Sequence, residues 1–402
     1  MSRLPSNTTS KNGCYVYNRF RHSSNELSQR SIESHVPHFC TIRKNHERMR
    51  AAVIQEHGEP LEIEDVSYPE PAPDQVVVET EACGVCRSDW HAWQGDWNWI
   101  GAGVPEGQIL GHEPAGIVSA VGDDVETLAE GDRVAVPFHL GDGTCPHCRE
   151  GRANNCETVL PLGLSEYSQG AFAEAFAVRE ADFNCVKLPD EVDFTEMAGL
   201  GCRFMTAYHA LADRADLRPG DWVAVHGCGG VGLSAIHIAQ ALGAHPIAVD
   251  VLDSKLERAE ELGAVETVNG SKVDDAAYEI KGITGGSGAD VSIDALGIAE
   301  TCQNSVNSLG TRGSHVQVGL TTGEEQGQIE LPVDVMTMQE IDFHGSFGMP
   351  LVRYEELFRL IAKGTLEPGK IIGETLSLDE LPETLASMDD YETVGIPVIT
   401  EF

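Results

Sequence analysis

From Met49 onward, apolar and polar residues alternate in short runs. The pattern starts with MRAAVIQEHGEPLEIEDV (49–66) and continues, punctuated by Gly and Pro, to about residue 185. A period of two marks strands with one buried face, so this part of the chain predicts a β-rich domain. The texture then changes. DWVAVHGCGG (221–230) is an apolar strand running into a glycine turn, VGLSAIHIAQALGA (231–244) has the spacing of an apolar-faced helix, and HPIAVD (245–250) is a second apolar strand. Strand patterns recur in ADVSIDALG (289–297) and RGSHVQVGL (312–320), with helical stretches between them, which predicts a parallel sheet with crossover helices. VRYEELFRLIAKGTLEP (352–368) predicts a helix and VGIPVITEF (394–402) a closing strand. No internal repeat or low-complexity tract interrupts the plan.

The glycine turn carries the first chemistry. Gly227, Gly229 and Gly232 form G-x-G-x-x-G where strand gives way to helix, with Gly230 inside the same turn, and Asp250 ends the next strand. The first glycine permits the tight turn, the second lets backbone approach a pyrophosphate, and the third lets helix pack on strand, while the helix N-terminus faces the phosphates. Asp250 would accept hydrogen bonds from ribose hydroxyls and repel a 2′-phosphate, which predicts NAD over NADP. Lys255 either adds a contact to the same ribose or is a solvated residue at a helix start.

Composition adds a charge argument. The 402 residues hold 64 acids against 27 bases, a formal charge of -37, with only eight lysines. Such a field repels nucleic acid and anionic lipid. The acids are dispersed rather than gathered in a tail, which points to a protein working in high salt, where screening over about 3 Å at 1 M suppresses self-repulsion. There is no apolar run of membrane-spanning length. Eleven unevenly grouped cysteines do not suit a secreted disulfide framework and fit a reducing cytoplasm. Residues 1–48 stand apart, basic and rich in Ser, Asn and His without apolar periodicity. They are expected to be a disordered extension or an over-extended start.

The cysteines also point to metal. Within GDGTCPHCREGRANNCE (141–157), Cys145, Cys148 and Cys156 show C-x2-C-x7-C spacing, three ligands of a structural site that normally has four. CGVCRSDWHAWQGDW (83–97), GHEPAG (111–116) and GLGCRFMTAYHAL (199–211) complete a pattern that resembles the zinc-dependent medium-chain alcohol dehydrogenases from Met49 to the C-terminus.

The resemblance implies an α/β protein. A β-rich GroES-like catalytic domain would cover residues 49–203, with a structural zinc lobe at 139–157. A doubly wound parallel-sheet Rossmann domain binding NAD would cover 204–344, and residues 345–402 would return to the catalytic domain. It implies Cys86, His112 and Cys202 as catalytic zinc ligands, leaving Cys83 to packing. A Cys2His set leaves a fourth position open for an alcohol, whose pKa the metal lowers. Glu113 matches an acid behind the metal, and Asp89 a carboxylate that orients the histidine ligand. Ser88 and His91 match a proton relay running along the cofactor ribose to solvent, for which imidazole has a suitable pKa. Arg87 matches a pyrophosphate contact; Thr206, Leu296 and Val318 match positions lining the nicotinamide. In the structural lobe the family's first cysteine falls on Asp142, so a carboxylate is expected as fourth ligand.

Trp90, Trp93, Trp97 and Trp99, with Phe138, are expected to narrow the pocket and favour small primary alcohols and aldehydes. A basic residue that many relatives carry near the C-terminus is absent, Gly395 being followed by Ile396. A polyol, sugar or secondary-alcohol substrate, and a non-catalytic NAD- or zinc-binding role, are the competing readings. A homodimer or homotetramer is the assembly the family implies.

Overall fold

The computed structural model describes residues 47–391 and 393–402. The expectation for the N-terminal extension therefore falls almost wholly outside the described residues. Arg48, grouped with that extension by composition, is instead the first residue of strand Arg48–Val53, which pairs antiparallel with Glu62–Ser67.

The fold is α/β with two principal sheets. In the first, Val76–Gly84 is central: it pairs antiparallel with Glu113–Val121 and Ala175–Val178, and its end meets the C-terminal strand Ile396–Glu401. Only Glu79 and Glu81 are exposed along it, so most of this strand is covered on both faces. The second sheet is six-stranded and wholly parallel, in the order Glu266–Asn269, His245–Asp250, Trp222–His226, Ala289–Asp294, Leu309–Gln317, Asp342–Gly345. Numbered along the chain this is 3-2-1-4-5-6, the order of a dinucleotide-binding sheet. Helix Gly230–Ala241 is buried from Gly232 to Ala239, and Leu233, Ile236 and Ile238 each contribute about 1.5–3 kcal/mol by leaving water.

The two sheets are joined by a broken helical run from Phe194 to Arg214. Its middle, Leu200–Phe204, is a π-type bulge in which Gly201 leaves helical geometry. Bulges of this kind re-aim side chains and concentrate at functional sites. A two-stranded ladder, His139–Leu140 with Leu160–Pro161, frames the cysteine lobe. Among the described residues no helix is long and apolar enough to cross a membrane.

Candidate active site and metal centres

Three chain segments converge on one buried point. Strand Val76–Gly84 leads to Cys86, the N-cap of helix Arg87–Gln94; Gly111, at φ 94°, turns the chain so that His112 enters the next strand; and the Gly201 bulge delivers Cys202. The ligand atoms of Cys86, His112, Glu113 and Cys202 all lie within 4.8 Å of one another.

Asp89 organises this cluster. Its Oδ1 lies 2.8 Å from His112 Nδ1 and accepts from Gly111 N at 3.0 Å, while its Oδ2 accepts from Cys86 N at 3.0 Å. The first bond fixes the tautomer and leaves the His112 Nε2 lone pair facing the thiols. That Nε2 is buried with no hydrogen-bond partner, a cost few folded proteins accept unless something binds there. The electrostatics agree. Cys86 is pulled well below the ordinary thiol range, first by a hydrogen bond from Cys202 and then by Arg203 and His112, while that same bond and burial push Cys202 up. Burial opposes a charge on His112, but Asp89 and Cys86 outweigh it and raise its proton affinity. The same groups that favour positive charge at this point would favour a cation bound in place of the proton, so the donor set fits zinc.

Glu113 faces the cluster from behind and is clasped by Arg203, which sequence reasoning missed. Glu113 Oε1 accepts from Arg203 N and Nε, both at 3.1 Å, and its Oε2 pairs with Nη2. Both side chains are buried, so removing either partner alone would strand a charge at a cost of about 3–5 kcal/mol. The signal for Arg203 was its place directly after a metal-type cysteine, in an otherwise apolar stretch.

Helix Arg87–Gln94 carries the remaining polar groups. Ser88 and His91, three residues apart, share one helix face. His91 Nδ1 sits 2.7 Å from Asp96 Oδ2, and the ring lies against Trp97. Burial lowers its pKa, with Asp96 opposing, which favours the neutral base form of His91. Arg87 is sandwiched 3.9 Å from the centroids of both Trp90 and Tyr391 and donates to Met388 O, with Nη2 buried and unpartnered.

The tryptophans expected to narrow the pocket have different surroundings. Trp93 is a core residue whose indole donates to Glu59 O, Trp90 donates to Asp389, and Trp99 is exposed. Trp97, buried against His91, Trp90, whose ring centre is 5.0 Å from that of His91, and Phe138, whose ring centre is 5.9 Å from that of His112, lie close to the chemistry.

The glycine turn sits at the carboxyl ends of the parallel strands. Gly227 has φ 92° and Leu296 lies where its Cβ would go, while a Cβ on Gly232 would collide with Gly227 O. At Gly229, by contrast, an added Cβ would meet nothing within 4 Å. No protein packing demands that glycine, and the open space fits the pyrophosphate of a dinucleotide. Asp250 holds the turn, accepting from Cys228 N at 2.8 Å through Oδ2 and from Val251 N and Leu252 N through Oδ1. Lys255 is buried nearby, which removes the solvated reading. An adjoining cavity of about 680 Å³ is lined by Gly227, Asp250, Val273, Lys281 and Thr301, a volume suited to an adenosine. Thr206 Oγ1 is buried without a partner, and Val318 packs on the edge of the core.

In the lobe, Asp142, Cys145, Cys148 and Cys156 also place their ligand atoms within 4.8 Å of one another. Asp142 has local duties too. Its Oδ1 accepts from Thr144 N and Cys145 N, and its Oδ2 from Thr158 Oγ1 at 2.9 Å. The two backbone bonds, first of all that from Cys145, hold its carboxyl well below the usual range. Oδ2, with a single bond, retains acceptor capacity, so the donor set fits a metal as well.

Comparison with known proteins follows the same lines. The family model for the alcohol dehydrogenase GroES-like domain matches residues 72–190, and that for the zinc-binding dehydrogenase matches residues 230–363. An alcohol dehydrogenase of Rhizobium meliloti is 37% identical over 79% of this chain and 89% of its own length. An NAD-dependent alcohol dehydrogenase of Sulfurisphaera tokodaii is 34% identical over 87% of this chain and 99% of its own. Among solved structures, the alcohol dehydrogenase TADH from Thermus sp. ATN1 superimposes with a TM-score of 0.80 at 31% identity, covering 88% of this chain and all of that one.

Proposed function

The chain belongs to the zinc-dependent medium-chain alcohol dehydrogenases, and from that premise we propose that it interconverts small primary alcohols and their aldehydes. It is an NAD-dependent zinc oxidoreductase. The observation that carries the site assignment is the unpartnered, buried Nε2 of His112 facing two thiols. Cys86, His112 and Cys202 would hold the catalytic zinc; Gly227, Gly229, Gly230, Gly232, Asp250 and Lys255 would hold the dinucleotide, with Thr206, Leu296 and Val318 toward its nicotinamide end. When bound, zinc supplies Lewis acidity at an open position and NAD supplies the hydride acceptor. Residues 49–203 and 345–402 form the catalytic domain on this reading and 204–344 the cofactor domain; the return of Ile396–Glu401 to Val76–Gly84 supports it.

The protein's own part is orientation and proton movement. Asp89 fixes His112, and Ser88 Oγ would accept the substrate hydroxyl proton while passing its own on toward His91. His91, neutral and backed by Asp96, accepts a proton and releases it to solvent. Because burial lowers the His91 pKa, its base form persists to lower pH than that of an unburied imidazole and is lost on further acidification. His91→Gln should lower kcat about 10- to 100-fold, mainly below pH 8 where hydroxide is scarce, with partial rescue by buffer bases. A pH profile that matches the parent enzyme would remove His91 from the relay.

A second substrate reading gains from the placement of the aromatics. With Trp93 in the core and Trp99 exposed, less bulk reaches the metal than the sequence suggested, which leaves room for a secondary alcohol or polyol. A kcat/KM series from ethanol to hexanol, 2-propanol and sorbitol separates the readings, and a preference for sorbitol overturns the first. Run from low to molar KCl, the series also tests the proposed high-salt habit, which rests on the charge of -37 and which salt-indifferent activity would contradict. The described cysteines are all free, in keeping with a reducing cytoplasm. Exposed Val333, Met338 and Phe343 beside edge strand Asp342–Gly345 support a homo-oligomer, which light scattering would detect.

A further inference from the structure

A metal with three protein ligands keeps a place for substrate, whereas a fourth closes it. Here a fourth candidate is already in the cluster, because a Glu113 carboxylate oxygen lies within 4.8 Å of the Cys86, His112 and Cys202 ligand atoms. A Cys2HisGlu set around zinc would be a closed tetrahedron of the structural kind. Something in the chain must therefore hold Glu113 back.

The slot around Glu113 is built for that purpose from two sides. Glycines make the space: a Cβ on Gly84 would collide with Glu113 Oε2, and one on Gly201 would press against the Glu113 side chain. Arg203 then fills the donor positions, with its backbone N and Nε on Oε1 and Nη2 on Oε2. Its own stem is pinned, since the Arg203 Cδ lies where a Cβ on Gly230 would go, at the first residue of the helix after the glycine turn.

We propose that Arg203 is a positioning residue that keeps the catalytic metal three-coordinate by holding Glu113 out of the fourth position. The inference rests on the reading of Cys86, His112 and Cys202 as metal ligands. Its physical basis is competition for one buried carboxylate. Glu113 is fully shielded from water and must be neutralised by a neighbour, and the two cationic partners within reach are the metal and Arg203. Guanidinium wins this contest where ammonium would not, because its fork matches both carboxylate oxygens and it cannot lose its proton.

The test uses the full-length protein loaded with cobalt(II) in place of zinc and titrated with imidazole, which binds at an open coordination position and shifts the visible absorption. Cobalt at this site is identified as the fraction lost in Cys86→Ala. Arg203→Met should weaken imidazole binding about tenfold and slow removal of this cobalt by a chelator to a similar degree, the scale of effects seen for groups that support metal ligands. Adding Glu113→Gln to that variant should restore both. Arg203→Lys, with a charge but no fork, should fall between. If Arg203→Met is insoluble, Arg203→Lys and Arg203→Lys/Glu113→Gln are compared in the same way. Unchanged imidazole affinity in the Arg203 variants, or a loss that Glu113→Gln does not relieve, would overturn the proposal. Failure of the parent protein to take up cobalt in a Cys86-dependent manner would instead refute the ligand assignment on which it rests.

Discussion

Cys86→Ala should lose hydride transfer to any alcohol by at least about three orders of magnitude in kcat/KM, while the fold and the binding of NADH persist. The size follows from the chemistry: a Lewis acid contributes several kcal/mol to the developing charge, and each 1.36 kcal/mol is tenfold in rate. The fold should survive because Cys86 is a small buried residue whose truncation to Ala opens only a small cavity. Metal analysis of the same variant separates the two centres. With Asp142, Cys145, Cys148 and Cys156 holding their own ion, zinc should fall from about two per chain to about one. A parent value of one that vanishes in Cys86→Ala would leave the lobe without metal, with Asp142 acting only as the acceptor for Thr144 and Cys145.

The second large effect lies at the cofactor. The parent protein should show a higher kcat/KM with NADH than with NADPH, and Asp250→Ser should lower the NADH value about 10- to 100-fold, as expected for hydrogen bonds to a charged group worth about 1.5–3 kcal/mol. Part of that loss will come from the turn itself, because Asp250 also holds Cys228, Val251 and Leu252. Discrimination is therefore the cleaner readout: the NADH/NADPH ratio should collapse, since removing the carboxylate removes its repulsion of a 2′-phosphate. A ratio unaffected by Asp250→Ser would place cofactor choice elsewhere in the cavity lined by Asp250, Val273 and Lys281.

The sequence made local features plain. The glycine turn was readable because its demands are short-range: a positive φ at Gly227 and close packing at Gly232 leave their mark in six residues. The parallel strands were readable from their apolar runs. Cys86, His112 and Cys202, far apart in the chain, stood out through the resemblance of their motifs to those of the zinc-dependent medium-chain alcohol dehydrogenases. What stayed hidden depends on distant partners. Arg87 meets Tyr391 across most of the chain, so its sandwich between two rings had no sequence signature. The tryptophans around it look alike in sequence, yet Glu59, Asp389 and the core separate them into different roles. Arg203 was invisible as a partner of Glu113 because only the bulge at Gly201 turns it inward.

On the proposed reading, alcohol oxidation requires zinc at the Cys86, His112 and Cys202 cluster and NAD at the glycine turn. The most direct measurement follows NADH absorbance with ethanol and NAD before chelation, after chelation and after zinc is returned. The account predicts alcohol-dependent NADH formation that chelation abolishes and zinc restores. Turnover that persists without metal, or no turnover of any alcohol by the zinc-loaded protein, would contradict it.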